Sequence, residues 1–583
     1  MRRDLVALSG RELDVVIVGG GIFGACAAWD AALRGLSVAL VERGDFAGGT
    51  SSQSFKMVHG GIRYLQHADL IRVRESCRER SALLRTAPHL VHPLPIVVPT
   101  YGHGRGGKAL LSAGLLAYDL ITLDRNRAIS DPARRIPRGR GLCTNEALDL
   151  FPALARPDLT GAVVFTDAQM YNPPRLVFAF LRSAIEAGAL AANYLEAVSF
   201  MRSGGRVRGI VACDRRSEER FEIRARAVLN AAGPWAENLL RGQTDLAPQR
   251  RSTYSRDTCF VIQRQLHADY GLAVAARNKD PDAVLSRGAR HLFIVPWRGY
   301  SLVGVWHRVC DGDPDRVQVS EVELAAFIDE FNEACPGLDL SLDDVSMCNA
   351  GLLPFGENEP DARDLSYGKR SILIDHAAEH NVEGLVSLIG IRYTMGRGDA
   401  ARAIDLIANK LGHRASRPAT HQIPVFGGRI GVFERFVEET MQHIQGQLSP
   451  AVLRALLRNY GTEFGRVLAY ARTRPALLES LGTTTALKAE VVHAIREEMA
   501  ICLSDVVFRR TDLATAGHPG KALLDCARLM AAELGWSAER MRAELAEVRR
   551  AFPRGVPQSA AEEPQPLASL DDSCGADSAL RLS

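Results

Sequence analysis

Near the start of the chain, Asp14-Val-Val-Ile-Val18 runs into Gly19-Gly20-Gly21-Ile22-Phe23-Gly24 and then into an alanine-rich segment that reaches Gly35. No other stretch restricts the fold as much. Val15 to Val18 is short, apolar and β-branched, the pattern of a buried parallel strand. The residues after Gly24 are good helix formers, and Gly35 is placed to end the helix. Ser37 to Val41 reads as a second strand, and Glu42 closes it. The spacing G-x-G-x-x-G sits at the strand-to-helix turn. Gly19 permits the tight turn, Gly21 lets the backbone approach a pyrophosphate, and Gly24 lets the helix pack close to the strand. The helix N-terminus then faces the negative charge. Glu42 is placed to accept ribose hydroxyls, and an acid there disfavours a 2′-phosphate. The stretch reads as a dinucleotide site.

The rest of the composition sets limits. A chain of 583 residues has material for more than one domain, and a net charge of +3 gives no argument for nucleic acid. The arginines 134, 135, 138 and 140 read as a solvated loop. Eleven cysteines, scattered without a CxxC pair and with no secretory signal after Met1, point to reduced thiols in a cytoplasmic protein without a metal site. No apolar run is long enough to span a bilayer. The nearest, Ala109 to Ile121, is interrupted by Asp119 and reads first as a core helix. The alternative is a helix lying in a membrane interface.

After Glu42 comes a loop rich in Gly and Ser, from Gly44 through Thr50, Ser51 and Ser52 to Lys56, closed by His59, Arg63 and Tyr64. These three side chains look like an anion-binding corner. Arg74, Glu75, Arg78 and Glu79 recur at helical spacing and predict a solvated helix face over 69–87. Prolines from Pro88 to Pro99 then predict an extended segment. Gly161–Asp167 reads as a strand, and 175–187 as a helix. Ala197–Phe200, Val207–Cys213 and Phe221–Ile223 read as a meander. Ala227 to Gly233 is an apolar strand ending in Ala-Ala-Gly, suited to a second close approach to the dinucleotide. Alternating segments within 251–355 suggest an antiparallel sheet bearing a substrate site. Gly384 to Arg397 reads as strand, glycine turn and helix. The pattern beyond 430 is helical, and 554–583 lacks periodicity and is expected to be a disordered tail.

These residues resemble the FAD-dependent glycerol-3-phosphate dehydrogenases, within the wider D-amino-acid-oxidase-like flavoproteins. The specific carriers are Gly49-Thr-Ser-Ser52 with Lys56-Met-Val-His-Gly-Gly-Ile-Arg-Tyr-Leu65, Ala87-Pro-His-Leu-Val91, Gly114 to Asp119, Asn230-Ala-Ala-Gly-Pro-Trp-Ala236, and Arg509-Arg510-Thr511. The resemblance implies an α/β fold: a Rossmann-type FAD-binding domain, an antiparallel-sheet substrate domain and a C-terminal all-helical domain. The expected boundaries are 1–90, 161–250 and 356–415 for FAD binding, 91–160 for an insertion, 251–355 for the substrate sheet and 416–553 for the helical domain. It implies non-covalent FAD held by Gly19, Gly20, Gly21, Ile22, Gly24, Glu42, Arg43, Thr50, Ser51, Ser52, Lys56, Val198, Ala232, Gly233, Gly390, Arg392 and Thr394. The implied chemistry is hydride transfer from sn-glycerol 3-phosphate to flavin N5, giving dihydroxyacetone phosphate. From the residues themselves, Arg63, Tyr64 and Arg392 are expected to hold the anion, and His59 and His307 are the candidate bases. The expected partners are a small polar or phosphorylated alcohol, a quinone acceptor, the inner face of the cytoplasmic membrane and a second copy of the chain.

Three departures mark the substrate face. Leu353 stands where the family has a substrate-contacting arginine. Gly304-Val-Trp-His307 replaces Gly-Thr-Thr-Asp, and Gly390-Ile-Arg392-Tyr-Thr394-Met-Gly-Arg397 replaces Gly-Gly-Lys-Leu-Thr-Thr-Tyr-Arg. Oxidation of a different alcohol or amine, or a flavoprotein without turnover, are the alternatives these changes raise.

Overall fold

The computed structural model describes residues 1–552 apart from 2, 66, 104–106, 243–245, 247–252, 280–288, 311–312, 355–369, 415–416 and 445; for 63, 277–279, 289 and 290 it describes the backbone alone. The tail expected over 554–583 lies outside the described residues.

The β-branched run Leu13–Val18 forms an inner strand of one sheet. The strand order is Ile372–Asp375, Leu385–Ile389, Arg220–Asn230, Leu13–Val18, Val38–Val41, Leu190–Ala192. All these pairings are parallel except the first, which is antiparallel. A parallel sheet needs cover on both faces. Val15 and Ile17 pack with the helices Ile22–Leu33, Pro173–Glu186 and Gly396–Lys410. Val16 and Val18 point the other way, into a cluster with Phe200, Val207 and Ile210. That second cover is the expected meander, with Leu195–Ser203 and Arg206–Asp214 running antiparallel into Arg220–Asn230.

The second sheet is wider than the stretch 251–355. Its order is Val345–Pro354, Tyr254–Ile262, Tyr300–Cys310, Ala289–Trp297, Gly271–Lys279, Val91–Tyr101, Leu159–Met170, Met57–Val58, with Arg140–Leu142 beside Leu159–Met170. The extended, proline-rich segment therefore supplies a strand here. Leu159–Met170, expected from the sequence to open an FAD-binding segment at 161, also belongs to this sheet. Pairing is antiparallel except where Gly271–Lys279 meets Val91–Tyr101. Helix Glu321–Ala334 covers one face through Phe327 and Phe331. Beyond 430 the chain forms helices, among them Phe433–His443, Pro450–Tyr460, Lys488–Glu498, Lys521–Leu534 and Ala538–Arg550.

Three surface expectations are corrected. Helix Leu70–Thr86 exposes Arg78 but buries Glu79 and Arg80. Arg80 is fully buried with Nη1 2.5 Å from Asp167 Oδ1, and Glu79 pairs with Arg397. Charges at helical spacing read as solvated only until a distant partner neutralises them. Arg134, expected in a solvated loop, is buried; it donates to the Val91 carbonyl and lies over the Phe433 ring. Helix Lys108–Ile121 is not core throughout. Leu115, Tyr118 and Asp119 are buried, but Leu110, Leu116 and Leu120 are 55–62% exposed on one side.

Candidate active site

The strand Leu13–Val18 ends at Gly19, whose φ of +108° is open to glycine at little cost. Helix Ile22–Leu33 starts so close to this turn that a Cβ on Gly24 would lie 1.9 Å from the Gly19 carbonyl oxygen. Glu42 reaches back across the turn, its carboxylate oxygens accepting from Gly20 N–H at 2.6 Å and Gly44 N–H at 2.9 Å. Burial raises the Glu42 pKa, and these two donors oppose that rise. Ile22 N–H donates to Ser51 Oγ at 3.0 Å, so the loop 49–55 folds over the helix N-terminus. Thr50 Oγ1 donates to the Leu352 carbonyl at 2.9 Å, which ties the same loop to the second sheet.

Between the two sheets lies a cavity of about 1220 Å³. Of the sequence-predicted cofactor residues, Gly19, Gly21, Ile22, Glu42, Arg43, Thr50, Ser51, Val198, Ala232, Gly233, Gly390, Arg392 and Thr394 line it. Gly20 and Gly24 stand behind the wall, one donating to Glu42 and the other packing the helix on its strand. Ser52 and Lys56 do not line it. Ser52 donates to the Gly49 carbonyl at 3.0 Å. Lys56 is buried with Nζ on the Ser54 carbonyl at 2.8 Å and over the Trp297 ring, and burial lowers its pKa. A lysine in a Gly/Ser loop reads as an anion ligand; here the sheet beneath claims it.

The far end of the cavity is built from side chains. His59, Tyr64, His307 and Arg392 all line it. The Tyr64 ring lies between two guanidinium groups, Arg72 at 4.7 Å and Arg392 at 5.1 Å from its centroid, with the His59 ring at 6.0 Å. Arg392 Nη1 donates to Ser76 Oγ at 3.1 Å. The side chain of Arg63 lies outside the described residues. Leu353 also lines the cavity, together with Phe55, Phe165 and Phe293.

Sequence reasoning missed three features. Asp257 lines the cavity and bonds His307. Arg43 is fixed by Asp315, which also accepts from Trp235 Nε1 at 2.8 Å. The C-terminal helices clamp the dinucleotide turn: Arg510 donates twice to Asp45 at 2.7 Å, and Arg509 joins it. Burial pushes the Asp45 carboxyl up, but the two guanidinium groups outweigh it and hold the pKa down at about 2. The pair Arg509-Arg510 was visible as a motif; its partner was not.

Residues 14–391 match the family model described as FAD dependent oxidoreductase, and residues 418–541 match the C-terminal domain of alpha-glycerophosphate oxidase. The chain is 30% identical over 549 residues to a glycerol-3-phosphate dehydrogenase of Synechocystis sp., covering 92% of this chain and 96% of that protein. The chain belongs to the FAD-dependent glycerol-3-phosphate dehydrogenase family. A glycerol-3-phosphate dehydrogenase of Mycobacterium leprae is 32% identical over 546 residues, covering 92% and 87% of the two chains. The fold is that of the glycerol-3-phosphate dehydrogenase from Bacillus halodurans complexed with FAD, with a TM-score of 0.72, 24% identity, and coverage of 94% and 96%.

FAD is the cofactor of this family member, and the residues present fit it. The turn at Gly19 and Gly24 leaves no room for side chains where a pyrophosphate approaches. Thr394 Oγ1 is buried in the cavity wall with no hydrogen-bond partner among the described residues, a donor awaiting an acceptor. Among the described residues, no helix is long and apolar enough to cross a membrane.

Proposed function

We propose that the protein oxidises sn-glycerol 3-phosphate to dihydroxyacetone phosphate and passes the electrons to a quinone. The observation that carries this reading is the meeting, in one cavity, of a dinucleotide turn with a cationic and aromatic corner. Bound FAD supplies the hydride acceptor. The protein's own part is to hold the substrate. Arg392, flanking Tyr64 with Arg72, offers fixed guanidinium donors for a phosphate dianion, and guanidinium binds such groups in bidentate geometry. Holding the anion there fixes the carbinol carbon relative to the reacting centre, an effect of orientation. The phenylalanines along the sheet keep water out. Anaerobic addition of glycerol 3-phosphate should bleach the visible flavin band. Bleaching only by another alcohol or an amine would overturn the substrate, and binding without bleaching would overturn turnover.

The finer cofactor roles follow the same reading: Glu42 toward the ribose, main chain at Gly21 and Gly233 toward the pyrophosphate, and Thr394 toward the flavin. For location, we place the protein peripherally on the inner face of the cytoplasmic membrane. The exposed leucines of helix Lys108–Ile121 form an apolar face suited to the acyl boundary, where a quinone is also dissolved. Leu116→Glu with Leu120→Glu should abolish sedimentation with anionic vesicles, and unchanged sedimentation would remove this face from the reading. A homodimer is the expected assembly, tested by mass in solution.

A further inference from the structure

Strands Val345–Pro354, Tyr254–Ile262 and Tyr300–Cys310 lie side by side, and Asp257 is directly opposite Gly351 on one neighbour and His307 on the other. His307 Nδ1 is 2.7 Å from Asp257 Oδ1, and Ser255 Oγ donates to the same oxygen at 2.6 Å. Ser255 is buried, while Asp257 and His307 line the cavity. A bulge decides this orientation. Thr258 pairs with Trp306 but Cys259 pairs with Gly304, so Val305 is the extra residue in its strand. Before the bulge, Leu302 and Gly304 share the face turned toward Cys259 and Phe55, and Val303 faces helix Glu321–Ala334. Side chains alternate along a strand, so without the extra residue Trp306 would face the cavity. With it, Trp306 stacks on Phe327 at 5.5 Å and donates to Glu330, and His307 takes the cavity face. Leu353 lies opposite Ser255, one residue pair from this dyad.

We propose that His307 is the catalytic base for the alcohol and that Asp257 is its positioning residue. This rests on the reading of the substrate as a secondary alcohol. With Nδ1 engaged by Asp257, Nε2 is the ring nitrogen that exchanges the proton, the tautomer logic of a carboxylate-oriented imidazole. In the step, the C2–H bond breaks and its electron pair leaves as hydride to FAD. The O–H bond breaks with its proton passing to His307 Nε2, and the C=O bond forms. The alcohol loses two electrons and FAD gains them. Asp257 stabilises the imidazolium that results. The apolar Leu353 beside the pair leaves Asp257 without a competing guanidinium from that position, so the carboxylate serves the histidine.

The test uses the full FAD-loaded chain. His307→Gln should retain its FAD and lose about 10²–10⁴-fold in the rate of anaerobic flavin bleaching by glycerol 3-phosphate. Asp257→Asn should also lower the bleaching rate while FAD is retained, since it removes the carboxylate that orients the ring. Nitrogen NMR of histidine-labelled protein gives a readout independent of turnover. The resonances lost in His307→Gln should report an Nδ1-protonated ring in the wild type and lose that tautomer in Asp257→Asn. Wild-type bleaching rate in His307→Gln, or an unchanged histidine tautomer in Asp257→Asn, would overturn the dyad. Failure of wild-type protein to bleach with glycerol 3-phosphate would instead overturn the substrate reading, and the histidine tautomer would still decide the pairing.

Discussion

The two ends of the cavity are built from different materials. The dinucleotide end is mostly main chain: Gly19 with positive φ, Gly24 against the Gly19 carbonyl, and N–H groups of Gly20 and Gly44 gathered by Glu42. Two other parts of the wall are mostly side chain: His59, Tyr64 and Arg392 in one group, Asp257, His307 and Leu353 in another. A main-chain site cannot change its chemistry without changing the fold. A side-chain site can be rewritten one residue at a time. Leu353 and His307, two positions where the chain departs from the pattern it resembles, are side chains of this second kind.

The contrast is tested most severely at Gly24. Gly24→Ala places a methyl group 1.9 Å from a backbone oxygen. The expected result is protein that retains no FAD after gel filtration, a cost beyond the ~1–3 kcal/mol of ordinary overpacking. Normal FAD content in this variant would break the comparison.

The clamp comes next. Arg510→Ala leaves Asp45 buried beside the turn and should lower unfolding free energy by ~3–5 kcal/mol, read from denaturant midpoints. The substrate end should behave differently. Arg392→Met should raise KM for glycerol 3-phosphate, at ~1.5–3 kcal/mol for lost charged hydrogen bonds, while stability stays near wild type. Equal losses of stability in both variants would erase the distinction.

Acid should strike the clamp first. Asp45 and Glu498 are held at about 2 in the fold, below their ordinary values of 3.8 and 4.5. Depressed carboxyl values stabilise the fold above the ordinary values, and that stability is lost as pH falls toward 2. Asp45 alone accounts for roughly 2 kcal/mol. Thermal midpoints should therefore fall between about pH 4 and pH 2, and less steeply in Arg510→Ala. Glu42→Ala gives the smallest effect. It removes a side chain from the main-chain end, and FAD affinity should fall by ~1–1.5 kcal/mol, measured by fluorescence titration.

The same division explains what could be read in advance. The order strand, glycine turn, helix, strand and acid was legible because each part is a local constraint: apolar period, steric room, helix propensity. The meander and the second sheet were legible from alternation. The width of that sheet was not, because Val91–Tyr101 and Leu159–Met170 join it through partners outside the stretch 251–355. Charge placement was the least legible. Arg80 and Glu79 lie on a helix of solvated appearance, yet are buried by Asp167 and Arg397.

By itself, the sequence determined the βαβ unit with its glycine turn and the helical C-terminal part, since these depend on residues close together in the chain. Only the tertiary structure decided that Asp257 meets His307 across two strands, that a bulge at Val305 turns the histidine inward, that Lys56 faces away from the cavity, and that one side of helix Lys108–Ile121 stays bare. The physical reason is that an ionisable or apolar side chain takes its role from what surrounds it, and those surroundings come from segments far away in the chain.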